Sequence, residues 1–432
     1  MSMKAYRFKS GIVISPFQDP VGDSLILNRP LRDHQKRLLE ASGLELVEID
    51  EPSSIQDEEC ILIRDDLYVS RAALERFLKK ARAVGASGAC ALEKGPFTDF
   101  TGFIQDLPAR KDPASGKECV LYGLYYLRGT RLETATLDTL PPLTIEAQQR
   151  AFPIEPGTFM PSSVEIRFAP AYTDAVIMHI RHWTHLWLLN LLALGDRLLE
   201  TFLASRLRLF LRALSAFSFN KHKIADRFVV KGKHCDIHPT AVVQGSILGD
   251  HVQVGPFCVI QGCVLGDHVK VSEQTIIMGS ILGDRVSTCP RGWIKFCVVY
   301  PGSSTGRMHA CLIGRDVFMA SLAYFFDVKL QGTIKVLHQG KHVDTGMNFL
   351  GGCVGHGATI GPDTWLASGR EVPNGAMIVK NPADVISVIP PDLPPREPLA
   401  VSGGVLTRVR DLPLRQDVPA DKDLPGSSKN RE

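Results

Sequence analysis

Histidine is the side chain best suited to moving protons near neutral pH, and this chain has thirteen of them. His309, in MHACLIG, and His356, in GHGATIG, each adjoin a glycine-containing turn and are the candidate general bases. His251 and His268 occupy the same place in successive GDHV segments, so we expect both to be solvated turn residues. A histidine base serves reactions in which an amine or hydroxyl loses a proton as it attacks, such as acyl transfer from a thioester.

Two groups of histidines raise the alternative of a metal site. The groups are His179, His182 and His185, and His338, His342 and His356. The first recurs every three residues without an accompanying carboxylate or cysteine. The second surrounds an irregular segment. Its spacing does not match that of the three histidines that bind a metal across the subunit interface in trimeric hydratases of the carbonic-anhydrase type. We therefore predict no metal ligands.

A 17-residue repeat from residue 237 is the element that must position these side chains. Its three copies read IHPTAVVQGSILGDHVQ, VGPFCVIQGCVLGDHVK and VSEQTIIMGSILGDRVS. Aliphatic residues recur in steps of six, five and six at Ile237, Val243, Leu248, Val254, Ile260, Leu265, Val271, Ile277 and Leu282. A second row follows four residues after each, at Ala241, Ile247, Val252, Cys258, Val264, Val269, Thr275, Ile281 and Val286. The pattern predicts a three-sided coil of stacked strands, with both rows inward and Gly-containing corners.

The period continues imperfectly beyond these copies. A fourth coil fits at 288–299, residues 305–350 are expected to hold irregular insertions, and the period resumes at Val354, Ile360, Leu366 and Val372. Arg370 stands where an inward residue is expected, which indicates a last, opened turn.

The N-terminal part has a different pattern. Short apolar strands at 12–14, 45–49, 60–63 and 120–127 alternate with two helical segments, which predicts an α/β sheet. We predict a nucleotidyltransferase-like α/β domain over 1–174, a helical connector over 175–230, a β-helix over 231–386 and a Pro-rich disordered tail over 387–432. The apolar runs of the connector are too short to cross a bilayer, although an interfacial membrane helix is an alternative.

Composition narrows the class of protein. The 432 residues are 44% hydrophobic and 22% charged, which excludes collagen-like and wholly disordered chains. A net charge of only +3 gives no support for nucleic-acid binding. Ten cysteines without a C-x-x-C pair and an N-terminus without an apolar leader segment predict a reduced, cytoplasmic protein.

The order of α/β domain, helical connector and hexapeptide coil resembles one known architecture. It is that of the bifunctional N-acetylglucosamine-1-phosphate uridylyltransferase/glucosamine-1-phosphate acetyltransferase family, and of sugar-nucleotidyltransferase-like proteins with hexapeptide tails. The resemblance covers most of residues 10–386 and implies a left-handed parallel β-helix. It also implies acetyl-CoA as cosubstrate, a sugar or sugar nucleotide as acceptor, and a homotrimer in which substrates lie between subunits.

In the N-terminal half, LNRPLRDHQKRLLEASGLELVEID looks like the segment after the family's nucleotide-binding loop. ILIRDDLYVS looks like the strand that ends in a metal-binding aspartate, which falls on Asp65 or Asp66. The loop itself departs from the family, because SPFQDPVGDSLILNRPL has one glycine, two aspartates and no arginine before Arg29. We therefore expect nucleotidyl transfer to be lost. Asp65 and Asp66 would then be capping residues, and Mg²⁺ would be a cofactor only if this half is active.

In the C-terminal half, MHACLIG matches the family's catalytic turn and places His309 as general base, with Leu312 where the family has tyrosine. The family's sugar-phosphate lysine falls nearest Lys295, with Arg291 as the neighbouring alternative. Further substrate contacts would come from Asp327, Lys341 and Thr345, while Phe325 stands where the family has asparagine.

These departures keep two other functions open. One is a non-catalytic module that binds sugar nucleotides or assembles with other proteins. The other is a nucleotidyltransferase with a remodelled phosphate loop. The acyltransferase with a histidine base is the function that the resemblance favours.

Overall fold

The computed structural model describes residues 3–129, 137, 139–151, 170–203, 228–386, 389, 391–393 and 395–412. Its contacts divide the chain into one unit over residues 1–378 and a second over residues 379–432. The first unit contains a mixed sheet with helices and a long parallel solenoid.

The mixed sheet occupies the N-terminal part. Its strands and the small ribbons around it are β1 Lys4–Phe8, β2 Val13–Ile14, β3 Asp19–Pro20, β4 Leu25–Ile26, β5 Arg29–Pro30, β6 Glu45–Ile49, β7 Glu59–Arg64, β8 Leu67–Val69, β9 Gly88–Glu93, β10 Ala109–Lys111, β11 Glu118–Arg128, β12 Pro142–Ile145, β13 Gln149–Ala151, β14 Ala171–Thr173 and β15 Ile177–His179. The strand order is β12-β9-β11-β7-β1-β6, with β10 paired to β11. β1 runs parallel to both neighbours, whereas β11 is antiparallel to β7 and β9.

Helices cover this sheet and connect it to the rest of the unit. They are α1 Leu31–Ala41, α2 Arg71–Val84, α3 Pro96–Thr101 and α4 Trp183–Leu203. Short 3₁₀ turns span Val21–Asp23 and Pro52–Ser54. Ser70 caps α2 by accepting the Ala73 N–H, and Gly85 ends it with a left-handed φ of 65°. Among the described helices, none is both long and apolar enough to cross a lipid bilayer.

Two boundaries differ from those expected. The first long strand is KAYRF at β1, because the apolar IVI at 12–14 contributes only the two-residue β2. The helix of the predicted connector begins at Trp183, since Ile177–His179 pairs with β8 as a strand. The connector's second half, 204–227, lies outside the described residues. The assignment of this part to the nucleotidyltransferase-like family stays a prediction.

Short strands build the solenoid, and they run parallel except for one antiparallel hairpin in the late insertion. They are β16 Val229–Lys231, β17 Asp236–Ile237, β18 Val242–Gln244, β19 Ser246–Leu248, β20 Gln253–Val254, β21 Val259–Gln261, β22 Val264–Leu265, β23 Lys270–Val271, β24 Ile276–Met278, β25 Ile281–Leu282, β26 Ser287–Lys295, β27 Val298–Val299, β28 Ser304–His309, β29 Leu312–Ile313, β30 Phe318–Met319, β31 Tyr324–Phe325, β32 Lys335–His338, β33 Lys341–Asp344, β34 Cys353–Val354, β35 Thr359–Ile360, β36 Trp365–Leu366, β37 Glu371–Val372 and β38 Met377–Ile378. The first wall is β16-β19-β22-β25-β27-β29-β34-β37, and the second is β17-β20-β23-β26-β28-β30-β35-β38. The third contains β18-β21-β24, the ends of β26 and β28, and the β31-β36 pair. Parallel sheets of many strands are those of a β-helix; its handedness stays a prediction.

The interior of the solenoid is a column of aliphatic side chains and thiols. Of the first predicted row, Leu248, Val254, Ile260 and the four that follow are buried in one cluster. The second row differs on the first wall, where adjacent strand residues must point to opposite faces. Val264, Ile281 and Val298 therefore face outward and pack on the core of the N-terminal part and α4. Trp187 of α4 also donates its Nε1–H to the Phe296 carbonyl, 2.7 Å away.

The regular coil changes between Thr288 and His309. Earlier coils advance by 17 residues, but Leu312 pairs with Val298 only 14 positions before it. The register between β26 and β28 shifts between Thr288 and Trp293. β28 therefore continues as a single strand over a stretch in which each earlier coil has two strands separated by a corner. On the first wall, the next pair joins Ile313 to Val354. The insertion between these two residues contains the β32-β33 hairpin.

The second unit begins at residue 379. Its described residues include 3₁₀ turns at Pro382–Asp384 and Val409–Asp411, and a hairpin of β39 Leu399–Ser402 and β40 Val405–Arg408. Ordered strands thus occupy part of the predicted disordered tail, while residues 413–432 lie outside the described part.

Candidate functional site

His309 and Asp327 form a hydrogen-bonded pair on the third wall. Nδ1 of His309 lies 2.6 Å from Oδ2 of Asp327. The two side chains keep 23% and 30% of their surface exposed. A carboxylate accepts the Nδ1–H, so a neutral ring carries its proton on Nδ1 and presents the lone pair of Nε2. No described residue hydrogen-bonds that Nε2, which leaves it available to a substrate.

An open pocket of about 280 Å³ surrounds this pair. Its lining is aromatic and cationic: Trp293, Arg307, Tyr324 and Phe326 stand around His309. The rings of Trp293 and His309 pack edge to face, with centroids 5.0 Å apart and an interplanar angle of 87°. Aromatic walls beside a base suit a ligand with an apolar or ring face.

The shortened coil explains how His309 reaches this position. His309 is in register with Lys295, fourteen residues earlier on the neighbouring strand. The Lys295 ammonium lies 4.6 Å from the centre of the Trp293 ring, next to the pocket. Lys295 thus lies beside His309 on the neighbouring strand without lining the pocket, and its role in binding a sugar phosphate stays a prediction.

Gly351 allows the insertion to return close behind His309. A Cβ at this position would lie 2.3 Å from the His309 carbonyl oxygen and 2.4 Å from Sγ of Cys311. The Leu350 N–H donates to the Asp327 carbonyl at 2.8 Å, so the same segment also holds the partner of His309. Both members of the pair therefore depend on where the insertion rejoins the coil.

The other predicted substrate contacts lie elsewhere. Arg291 has a left-handed φ of 57° and donates its Nε–H to Gln274, 3.0 Å away. Lys341 is an exposed residue of the hairpin, and Thr345 is buried with its hydroxyl donating to the Ile334 carbonyl. None of the three lines the pocket of His309.

His356 lies at a junction between the N-terminal part and the solenoid. Its Nδ1 accepts the Arg315 backbone N–H at 2.8 Å, and its Nε2 lies 3.1 Å from Asp19. Arg315 donates to the same Asp19 carboxylate at 2.7 Å, and the His356 ring stacks on Phe17. Partial burial alone would raise the pKa of Asp19, but the hydrogen bonds from His356 and Arg315 lower it. Both ring nitrogens are engaged, so the arrangement favours a structural role over that of a base.

Asp65 and Asp66 follow β7, and Asp66 is not free to bind a cation. Asp66 is fully buried and accepts hydrogen bonds from Arg64, with His179 Nδ1 3.0 Å away. Burial opposes ionisation of Asp66, but His179 and the Arg64 guanidinium lower its pKa below the ordinary value. Asp65 accepts the Ser10 N–H at 2.8 Å. A buried carboxylate held as that of Asp66 is does not fit Mg²⁺, which needs open oxygen ligands.

A larger cavity of about 700 Å³ lies at this end of β7, between the loop after β1 and the β32-β33 hairpin. Of the three histidines singled out here, His182 and His185 have ring centroids 6.5 Å apart, whereas His179 lies against Asp66. His185 is buried, and its pKa falls to about 3, chiefly because burial disfavours the charged ring. Within the described ranges, no cluster of three or more His, Cys, Asp or Glu side chains could hold a metal ion.

Trp293, Arg307 and the aromatic pair Tyr324 and Phe326 are pocket residues that the sequence reasoning missed. Their signal was weak, because they lie on outward positions where a solenoid tolerates most side chains. The run AYFFDV could have indicated an exposed aromatic surface next to Asp327.

Comparisons with known proteins give little beyond this geometry. No family model matches the chain. No curated protein matches it either. Among solved structures, a Bacillus cereus protein named as a candidate acetyltransferase is 13% identical over 35% of this chain and 73% of its own, with a TM-score of 0.20. A likeness of that size carries no argument about fold or function.

Proposed function

We propose that this protein is an acyltransferase of the hexapeptide-repeat type, with His309 as general base. The single observation that carries the proposal is the His309–Asp327 pair, whose Nε2 faces an open pocket without a described hydrogen-bond partner. Acetyl-CoA is the acyl donor and a sugar or sugar nucleotide the acceptor that the family resemblance implies. The homotrimer and the cytoplasmic location stay predictions.

The reaction needs one proton acceptor and no covalent intermediate. Nε2 of His309 takes the proton from the acceptor's amine or hydroxyl as that group attacks the thioester carbonyl carbon. The carbonyl π electrons move to oxygen in the tetrahedral intermediate, and their return breaks the C–S bond. The departing thiolate takes the proton back from Nε2. Asp327 stabilises the imidazolium between these two transfers.

His309→Ala tests the role of the base. We expect kcat for acetyl-CoA consumption with amino-sugar phosphates or UDP-amino sugars to fall by about 10²–10⁴-fold, because a positioned base contributes that much. Turnover is followed by release of the free thiol. Unchanged kcat in this variant would remove His309 from the mechanism.

His268→Ala is the matched control. His268 also lies on the solenoid, but it stacks on His251 at a corner, with ring centroids 4.7 Å apart, and lines no part of the pocket. It should keep the wild-type rate. If the wild-type protein binds acetyl-CoA or a sugar nucleotide but consumes neither, the non-catalytic binding module becomes the better description.

A further inference from the structure

A second concave surface adjoins the His309 pocket, and we call it the cationic cleft. It has a volume of about 570 Å³. The side chains that define it are Phe326, Lys329, Leu330, Lys335, His342 and Arg370. The sequence singled out two of them, Arg370 as a misfit in the coil and His342 in a group of three histidines.

The insertion and the last coils build this cleft together. Val328 bridges to Phe349, and the Lys329 N–H donates to the Asn348 carbonyl at 2.8 Å. Arg370, from the coil, donates to the Lys335 carbonyl on β32 at 3.2 Å. The cleft walls are thus hydrogen-bonded to each other and do not depend on a single mobile side chain.

The charge of the cleft is strongly one-sided. Lys329, Lys335 and Arg370 line it, no carboxylate does, and none of the three forms a salt bridge with a described residue. Asp344 on β33 is in register with Lys335, and its pKa falls because Thr333 and Gly346 hydrogen-bond it, with smaller contributions from Lys335 and Lys329. Three lining cations without a lining carboxylate leave a positive surface, which attracts anions.

The cleft and the pocket share one wall. Phe326 lines both, and Asp327, the partner of His309, lies between Phe326 and Val328 in sequence. Leu330, 73% exposed, adds an apolar contact to the cationic rim. A ligand that reaches His309 with its reacting group can therefore place a phosphate among these cations and an apolar or ring segment against Phe326.

We infer that the cationic cleft is the phosphate-binding subsite of this transferase. The inference rests on the proposed function, because it places the reacting group at His309. Two substrates carry such phosphates: the nucleotide end of a CoA thioester and the phosphate or diphosphate of a sugar acceptor. The shared chemistry is a phosphate ester next to an apolar or ring moiety.

Binding measured by calorimetry tests the cleft without any turnover. The ligands are adenosine 3′,5′-bisphosphate for the donor, and glucosamine 1-phosphate and UDP-N-acetylglucosamine for the acceptor. In the double variant Lys335→Gln/Arg370→Gln we expect Kd for at least one of them to rise about 10- to 100-fold, the loss typical of hydrogen bonds to charged groups. Which ligand responds identifies the source of the phosphate.

The matched control is Lys270→Gln/Arg285→Gln, which removes two exposed cations of the solenoid outside the cleft. It should leave every Kd unchanged. Equal affinities in the cleft variant, the control and the wild type, or no binding of any of these phosphates to the wild type, would overturn the inference.

Kinetics separate the cleft from the proposed function. If the donor binds there, the cleft variant raises KM for acetyl-CoA but not for a short acetyl thioester without phosphates. If phosphate binding is weakened in the cleft variant but the wild type shows no turnover, the proposed transferase activity is wrong and the subsite is supported. If the wild type turns over and its KM values equal those of the cleft variant, the transferase is supported and the subsite is wrong.

Discussion

At the residue scale, the carboxylate of Asp327 decides which imidazole nitrogen of His309 faces the pocket. The resemblance had placed Asp327 among the substrate contacts, whereas the 2.6 Å distance to Nδ1 favours a positioning residue for His309 in the proposed mechanism. Asp327→Asn should lower kcat by about tenfold or more, but less than His309→Ala, because an amide orients the ring without stabilising its charge.

The readout that isolates this role is the division between kcat and KM. Since Asp327 acts through His309, KM for both substrates should stay near the wild-type value. A rise of KM with unchanged kcat would return Asp327 to the substrate contacts. Glu273→Gln, on an exposed turn outside both the pocket and the cationic cleft, is a control that should alter neither constant.

The sequence predicted the two residues of this pair but not the pair itself. His309 belongs to a local motif that lies within one coil, and such a motif can be recognised from the sequence alone. Lys341 and Thr345 were carried over by spacing, and the insertion between β31 and β34 moves them away from the pocket. Spacing loses its meaning wherever residues are inserted between two coils.

At the element scale, the 17-residue period foretold the inward aliphatic column, since each inner position of a stacked coil has the same environment. It could not foretell the outward orientation of Val264 or Ile281. Their apolar character suits an inner wall and an outer face covered by α4 equally well, and only tertiary packing distinguishes the two.

The return of the insertion at Gly351 gives an element-scale prediction. Gly351→Ala places a methyl group 2.3 Å from the His309 carbonyl, so the backbone must shift. We expect a loss of stability of about 1–3 kcal/mol, a lower Tm and a reduced kcat, measured by thermal unfolding and thiol release.

Gly195→Ala is the opposite case and serves as control. Gly195 lies within α4, and a Cβ there would meet nothing within 4 Å. This variant should raise stability by up to about 1 kcal/mol, the difference in helix propensity between the two residues. Equal effects of the two substitutions would contradict the crowding at Gly351.

At the scale of the whole first unit, Glu371 connects three parts of the chain. It accepts the Ser15 hydroxyl at 2.6 Å from the loop after β2 and lies 3.1 Å from Nε2 of His182, which precedes α4. Glu371 itself belongs to the last strand of the first wall. Burial opposes its ionisation, but the hydrogen bonds from His182 and Ser15 lower its pKa below the usual 4.5.

Glu371→Gln should therefore destabilise the protein at pH 7 by about 1–3 kcal/mol. A carboxyl whose pKa is lower in the folded state contributes its full stabilisation above the unfolded value of 4.5. That contribution disappears as the pH falls through the folded value. The Tm difference between wild type and variant should thus shrink below pH 4.5.

Exposed Glu273 on the solenoid provides the comparison for this pH series. Glu273→Gln should show no Tm difference from the wild type at any pH in the range. A Glu371→Gln deficit that stays constant down to strongly acidic pH would mean that the lost contact is steric and not ionic.

The burial of the first wall's outer side under the N-terminal part limits how copies of this chain could associate. A closed ring of identical subunits needs two different faces on each subunit, one for each neighbour. Since that side is covered, a ring would have to use the other two walls of the solenoid, and His309 lies on one of them. In a ring that used both, each copy would cover the His309 pocket of the next, and diluting the protein would expose all of these pockets together.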